Sequence, residues 1–190
     1  ALLWWFGDFS REEIARRLRH LTPATSFRSH YAYDNVLYVV AGEVVEAASG
    51  MTWDDFVRTR IFAPLGMNDS RYGHQEEIVR GRVAGYVKGP EGWANAPYLS
   101  LTQPYAAGSL MSTVDDLARW SDALEAGRVI SPASRDRMFT SASLRGGDQD
   151  GVATRYGLGN AMTEVAGQPA HEHGGGQGQE TSDAFWETLL

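Results

Sequence analysis

Tyr33 and Asn35 carry the clearest chemical signal in the chain: they belong to Tyr31-Ala32-Tyr33-Asp34-Asn35, directly ahead of an apolar run at 36–40, in a stretch closed by Gly50. That spacing puts a phenol and an amide at the mouth of a helix. A phenol, whose ordinary pKa is near 10, becomes a proton-transfer group when a cation beside it favours the phenolate. The sequence is sparing with such cations, since its basic residues are almost all arginine and Lys88 is the only lysine. A Tyr-x-Asn triplet alone is a weak signal, because a helix-start Asp34 or Asn35 among core aromatics accounts for the same letters.

Two other groupings of reactive side chains lead less far. His171 and His173, two apart on a strand-like stretch, would show both imidazoles on one face, with Glu172, Glu180 and Asp183 close in sequence. A third ligand at fixed spacing is missing and the run Gly174-Gly175-Gly176 explains the region better, so no metal and no cofactor are assigned. Ser109 and Ser112 stand in no Gly-x-Ser-x-Gly elbow, and Ser112-Thr113 reads as a helix start. Without cysteine there is neither a thiolate nucleophile nor a zinc-thiolate centre. Trp4, Trp5, Trp53, Trp93, Trp120 and Trp186 read as core or interface aromatics.

The elements that must position Tyr33, Asn35 and His173 follow from caps and apolar spacing. Ser10 with Glu13 forms a capping box ahead of a helix whose apolar face is Ile14, Leu18 and Leu21. Residues 35–49 keep helical spacing through Val36, Val40, Val44 and Ala47, and Gly50 suits a left-handed stop, which predicts a buried helix. Thr52 caps the next helix, carrying Trp53, Phe56, Val57 and Ile61, which Pro64 is expected to end. Residues 82–87 are a candidate strand, followed by the turn Gly89-Pro90-Glu91-Gly92. Thr113 opens a helix with Leu117, Trp120 and Leu124 inward and Gly127 past its end, and Ser131-Pro132 opens another. A glycine-rich loop is expected at 146–151, then strands at 156–162 and 168–173 joined around Ala166-Gly167. Helices followed by a late hairpin, with no internal repeat, predict an α+β chain.

The bulk properties bound the partners. A chain of 190 residues, 43% hydrophobic and 22% charged, suits one soluble globular domain. Its net charge of -7, with no Lys/Arg cluster, argues against nucleic acid and against anionic membrane surfaces. The apolar start at 1–6 has no basic leader and is broken by Gly7-Asp8, and no other run approaches the roughly twenty apolar residues of a span. Compartment and oligomeric state stay open, because a lack of cysteine fits periplasm and cytoplasm alike.

Taken in order, the landmarks are Tyr33-Asp34-Asn35 leading a helix that ends Ala48-Ser49-Gly50, then Pro64-Leu65-Gly66-Met67, the stretch from Ala107-Gly108-Ser109 to Asp115-Asp116-Leu117-Ala118-Arg119-Trp120, and His173-Gly174-Gly175. With these the chain resembles the serine β-lactamase and penicillin-binding-protein-like hydrolases, especially the class C-like branch that includes esterases and peptidases. The resemblance spans nearly the entire chain. It implies an α+β fold of the β-lactamase/transpeptidase type, with Tyr33 in the place of the general-base tyrosine of a Tyr-x-Asn motif. Asn35 takes the place of the amide that orients substrate and the active-site lysine. His173-Gly174-Gly175 fits the third motif, Lys-Thr-Gly or His-x-Gly on a strand. Glycine there leaves the backbone open to substrate, and the amide of Gly176 resembles one of two oxyanion-hole donors. Histidine in place of lysine leans the site away from penicillin-type acids, since an ammonium is a permanent carboxylate anchor and an imidazole is mostly neutral at pH 7. Small esters and amides fit better.

The family's first motif, Ser-x-x-Lys, does not occur, because Gly85 stands three residues before Lys88. The resemblance therefore implies a nucleophile upstream of Ala1, and makes 1–190 a partial domain that lacks the N-terminal Ser-x-x-Lys helix and the C-terminal strands and helix. Residues 177–182 depart from the family's glycine-then-aromatic pattern, and 183–190 are left outside it. On this reading the chain is a fragment of a serine hydrolase that cleaves ester, amide or β-lactam bonds of small molecules through an acyl-enzyme, inactive by itself and with an exposed sheet edge. The alternative is a non-catalytic binding or interaction module on the same scaffold.

Overall fold

A computed structural model describes residues 9–72, 77–96, 104–142 and 155–176, together with the backbone of 185–189. The loop expected at 146–151, Glu180, Asp183, Trp4, Trp5 and the Trp186 side chain lie outside the described residues.

The capping residues read from the sequence do cap. Ser10 accepts the Glu13 amide at 3.2 Å and opens α1 (Arg11–Arg17). Glu13 does not reach back to complete the box, because its carboxylate is taken by Arg16 at 2.6 Å and Arg17 at 2.8 Å. Asp34 opens α2 (Asn35–Ser49), and Gly50 ends it in the left-handed region at φ 70°. The buried face of α2 is Val36, Val39 and Gly42, whereas Val44, expected inward, is 61% exposed. Gly42 explains the rotation: Tyr105 and Ala106 press so closely that an added Cβ would lie 2.7 Å from the Ala106 Cβ. A helix turned by that contact buries one stripe and leaves the rest exposed.

Thr52 opens α3 (Trp53–Val57), which runs on through a π turn, Arg58–Phe62, into α4 (Ala63–Leu65). Pro64 does not end the helix. The wide turn bonds the Ala63 amide to the Arg58 carbonyl, and the proline that follows has no N–H to place, so Gly66 at φ 67° makes the stop. Val57, Phe62 and Met67 form the larger core cluster, with Trp53, Tyr72 and Trp120 against it. Ile14 and Val36 make a smaller one between α1 and α2, joined by Phe9 and Leu18.

Beyond β1 (Arg71–Tyr72), the hairpin of β2 (Tyr86–Gly89) and β3 (Gly92–Asn95) turns at Pro90-Glu91. The strand expected from residue 82 starts only at Tyr86, because its partner strand runs out at Asn95. Trp93 in β3 is an exposed aromatic and not part of a core. β4 (Leu110–Met111) pairs with β1 and leads into α5 (Val114–Glu125), capped by Thr113. Leu124 and Trp120 point inward as read, but so does Asp116, fully buried. Its carboxylate accepts the Asp69 amide at 2.9 Å, the Ser70 hydroxyl at 2.8 Å and the Arg119 guanidinium at 2.7 Å. Ser112 completes this cluster, 2.8 Å from Ser70, so its hydroxyl is spent on structure.

Ser131 opens α6 (Pro132–Met138). The last sheet is antiparallel in the order β5-β6-β7, from β5 (Ala161–Val165), β6 (Gln168–Gly176) and β7 (Phe185–Leu189). Ala166 and Gly167 turn the first hairpin with φ 50° and 79°, the positive pair that matches strand twist. The strand expected at 156–162 begins only at Ala161, since Gly157 folds back to the Asn160 carbonyl at 2.8 Å and Leu158 bonds the Met138 carbonyl at 2.9 Å. At the other end, residues left outside the family pattern form β7, paired from Glu172↔Leu189 to Gly176↔Phe185. Among the described residues no helix is long and apolar enough to cross a membrane.

Candidate functional site

The element that carries Tyr33 and Asn35 is anchored at its far side. Glu46 on α2 accepts the Tyr105 hydroxyl and the Trp53 amide, the latter at 2.6 Å, while the Arg11 guanidinium lies 3.5 Å above the Tyr105 ring. Arg11 also pairs with Glu43 at 3.3 Å, which ties α1 to α2. Burial, and then the Glu46 carboxylate, push the Tyr105 phenol up, so it stays a donor. At the near end Asp34 accepts the Val36 amide at 2.9 Å, which fixes where the helix starts and hence where Tyr33 stands.

β6 brings His173 to that point from 140 residues away. The Tyr33 hydroxyl and His173 Nε2 are 3.4 Å apart, with ring centroids at 5.8 Å. On the other side of the imidazole, Nδ1 lies 2.6 Å from the Gly174 carbonyl. A carbonyl only accepts, so Nδ1 carries a proton; in the neutral ring Nε2 is then an acceptor, and Tyr33 donates to it. Tyr33 is held above the ordinary phenol range by burial and then by the phenols of Tyr31 and Tyr38. A protonated Tyr33 is a donor in this state, not a base.

Gly174 and Gly175 continue β6, and among the described residues a Cβ on either would meet nothing within 4 Å. β5 last pairs with β6 at Glu172, so one edge of Gly174, Gly175 and Gly176 is bounded by no described strand, while the other is paired with β7. Asn35 is the first residue of α2 and half-buried, and among the described residues no hydrogen bond joins its side chain to Tyr33 or His173. The structure thus brings Tyr33, His173 and the glycine edge together and leaves Asn35 one step aside. His171, on the same strand, stacks on Phe139 at 3.7 Å, and burial lowers its pKa against the pull of Glu125. No cluster of three metal-ligating side chains occurs among the described residues.

Tyr156 stands at the site and was missed by sequence reasoning, which gave it to a strand. Its ring meets His173 edge-on at 6.2 Å and Tyr31 edge-on at 5.5 Å. The signal was the flanking glycine: a Cβ on Gly157 would fall 2.2 Å from the Met138 carbonyl, so the backbone turns tightly there and cannot run on as a strand.

The fold that sets Tyr33, just ahead of α2, against the His173-Gly174-Gly175-Gly176 strand is that of the β-lactamase/transpeptidase proteins. The D-amino acid amidase of Ochrobactrum anthropi SV3, solved with D-phenylalanine, matches it with a TM-score of 0.72 at 24% identity, over 90% of this chain and 51% of its own. The chain belongs to the Beta-lactamase family, whose sequence profile matches residues 2–182, and so to the β-lactamase-like serine hydrolases. It is 26% identical to the D-aminopeptidase of Brucella anthropi over 177 residues, 86% of this chain and 30% of that protein. It is 30% identical to penicillin-binding protein 4* of Bacillus subtilis (strain 168) over 131 residues, 62% of this chain and 29% of that protein. The chain thus spans under a third of those curated relatives and about half of the amidase.

Proposed function

We propose that the chain is the middle of a serine hydrolase domain that cleaves amide, ester or β-lactam bonds through an acyl-enzyme, with its Ser-x-x-Lys serine on a segment upstream of Ala1. Tyr33 moves the proton, Asn35 orients substrate, and His173 with the backbone of Gly174, Gly175 and Gly176 binds the acyl group and its oxyanion. The observation that carries this is the 3.4 Å approach of the Tyr33 hydroxyl to His173 Nε2, between two motifs 140 residues apart. The edge of Gly174–Gly176 that no described strand bounds supplies room for a carbonyl to lie against the strand. Amides and esters are favoured over penicillin-type acids, since no lysine stands at position 173.

By itself the chain has no nucleophile of the required kind and its Tyr33 holds its proton, so it is expected to be inactive. The lysine of the upstream segment would supply the missing cation. The test is to assay the 190-residue chain, and the same chain joined to the coding segment that precedes Ala1, on a chromogenic ester and a D-amino acid anilide. Turnover is expected only in the joined form, and Tyr33→Phe should lower its kcat by about 100-fold or more. Turnover by the chain alone that disappears in Tyr33→Phe, or an upstream segment without Ser-x-x-Lys, defeats the reading.

A further inference from the structure

The proposed chemistry gives His171 no task, although it shares a face of β6 with His173, two residues on. Its ring lies on that of Phe139, the residue that ends α6, with centroids 3.7 Å apart and planes 13° from parallel. Rings in such close parallel contact cannot change tilt or height separately, since a packed interior leaves no room for either. Burial lowers the His171 pKa against the pull of Glu125, so at neutral pH the imidazole meets Phe139 uncharged, as a phenyl group would.

The same end of α6 holds the loop that carries Tyr156. The Met138 carbonyl accepts the Leu158 amide at 2.9 Å, and the Tyr156 carbonyl accepts the Ala142 amide at 3.0 Å. Met162, paired with His171 across β5 and β6, brings its methyl to 3.2 Å from where a Cβ of Gly157 would stand. Tyr156 then meets the His173 ring edge-on. Two ties thus run from residues 138–142 to His173, one through its own strand and one through a neighbouring ring. On the β5 side the ladder stops at Glu172, so the height of the imidazole depends on what holds the strand just before it.

We infer that His171 is a positioning residue of the site: stacked on Phe139, it sets the height at which β6 delivers His173 to Tyr33, and with it the line of the Gly174–Gly176 backbone. This rests on the hydrolase reading above and deepens it, because the stack then governs turnover without touching substrate.

Geometry can be read without turnover, which separates the two ideas. In the 190-residue chain, NMR cross-relaxation between the ring protons of Tyr33 and His173 is followed in variants checked for native circular dichroism. His171→Phe keeps a ring on Phe139 and should keep the signal, whereas His171→Ala and Phe139→Leu each break the stack and should lose it. In the chain joined to its upstream segment, His171→Ala and Phe139→Leu should each lower kcat about tenfold with KM changed less than about twofold. The double variant should fall no further than either single one, and His171→Phe should stay within about twofold of the natural chain. If His171→Ala does not fold, Phe139→Leu against His171→Phe carries the same comparison. A retained signal in a folded His171→Ala or Phe139→Leu chain, losses that multiply in the double variant, or a His171→Phe chain that loses the signal overturns the inference. A joined form that never turns over, with the ring signal responding as stated, leaves the positioning role standing and removes the hydrolase reading alone.

Discussion

The Asp116 cluster and the Tyr33–His173 site are both polar groups assembled from distant parts of the chain, and they are completed in opposite ways. Around Asp116 each donor finds an acceptor, and Ser70, Ser112, Asp69 and Arg119 use the carboxylate and one another. Around His173, among the described residues, the Tyr156 hydroxyl has no partner and nothing meets a Cβ on Gly174 or Gly175, while Tyr33 is 51% exposed. A closed polar network rigidifies the chain; an open one keeps groups available to a ligand at some cost in stability. Framework and site are therefore expected to respond oppositely to mutation.

The largest effect should come from Asp116→Ala. It leaves the Ser70 hydroxyl and Asp69 amide buried without an acceptor, and should lower the unfolding free energy by about 3 kcal/mol in urea titrations. Burial pushes this carboxyl up, but Ser70, the Asp69 amide and Arg119 together outweigh it and hold it below the usual range. A carboxyl with a lowered folded pKa contributes fully above its unfolded value of about 3.9 and loses that contribution as pH falls toward the folded value. Stability should thus fall below about pH 4 in the natural chain and less steeply in Asp116→Asn. Equal acid slopes in the two would take the carboxylate out of the framework.

Gly42→Ala comes next. Alanine's helix propensity offers about 1 kcal/mol, but a Cβ 2.7 Å from Ala106 and 2.8 Å from the Tyr105 ring costs more, up to about 3 kcal/mol for such overpacking. A net loss of about 1 kcal/mol is expected from thermal or urea unfolding; a gain would mean that α2 is not seated on Tyr105 as described.

In the site the sign should reverse. Tyr156→Phe removes a buried hydroxyl with no partner among the described residues, so the variant should be about 1 kcal/mol more stable. Tyr33→Phe, smallest of the four, should change stability by less than about 0.5 kcal/mol, because the ring is half exposed and its hydroxyl makes one long contact. A loss well beyond that would make Tyr33 part of the framework and erase the contrast.

The two regions were also unequally legible in the sequence. Caps are local, so Ser10, Asp34, Thr52, Thr113 and Ser131 could be read directly, and the helix from Asn35 to Gly50 has the bounds its residues announce. The motif order gave the fold and brought Tyr33 and His173 into one argument before either had a position. What could not be read depended on partners far away: which stripe of α2 is buried is decided by Tyr105, and Asp116 looks like an ordinary first-turn acid until Ser70 arrives beside it. Tyr156 was hidden because aromatic and apolar letters spell a strand as readily as a loop. Only the crowding of Gly157 against Met138 distinguishes them.

The π turn at Arg58–Phe62 bears on how this chain can vary over time. A π turn is an α-helix that has accepted one extra residue, and each residue rotates the rest of a helix by about 100°. Phe62 and Met67 reach Val57 with that rotation in place. Loss of a single codon between 58 and 62 would restore a regular helix and swing both side chains away from their cluster. Related sequences should therefore align without gaps across this helix, or pair a deletion there with a second change in the residues facing Val57.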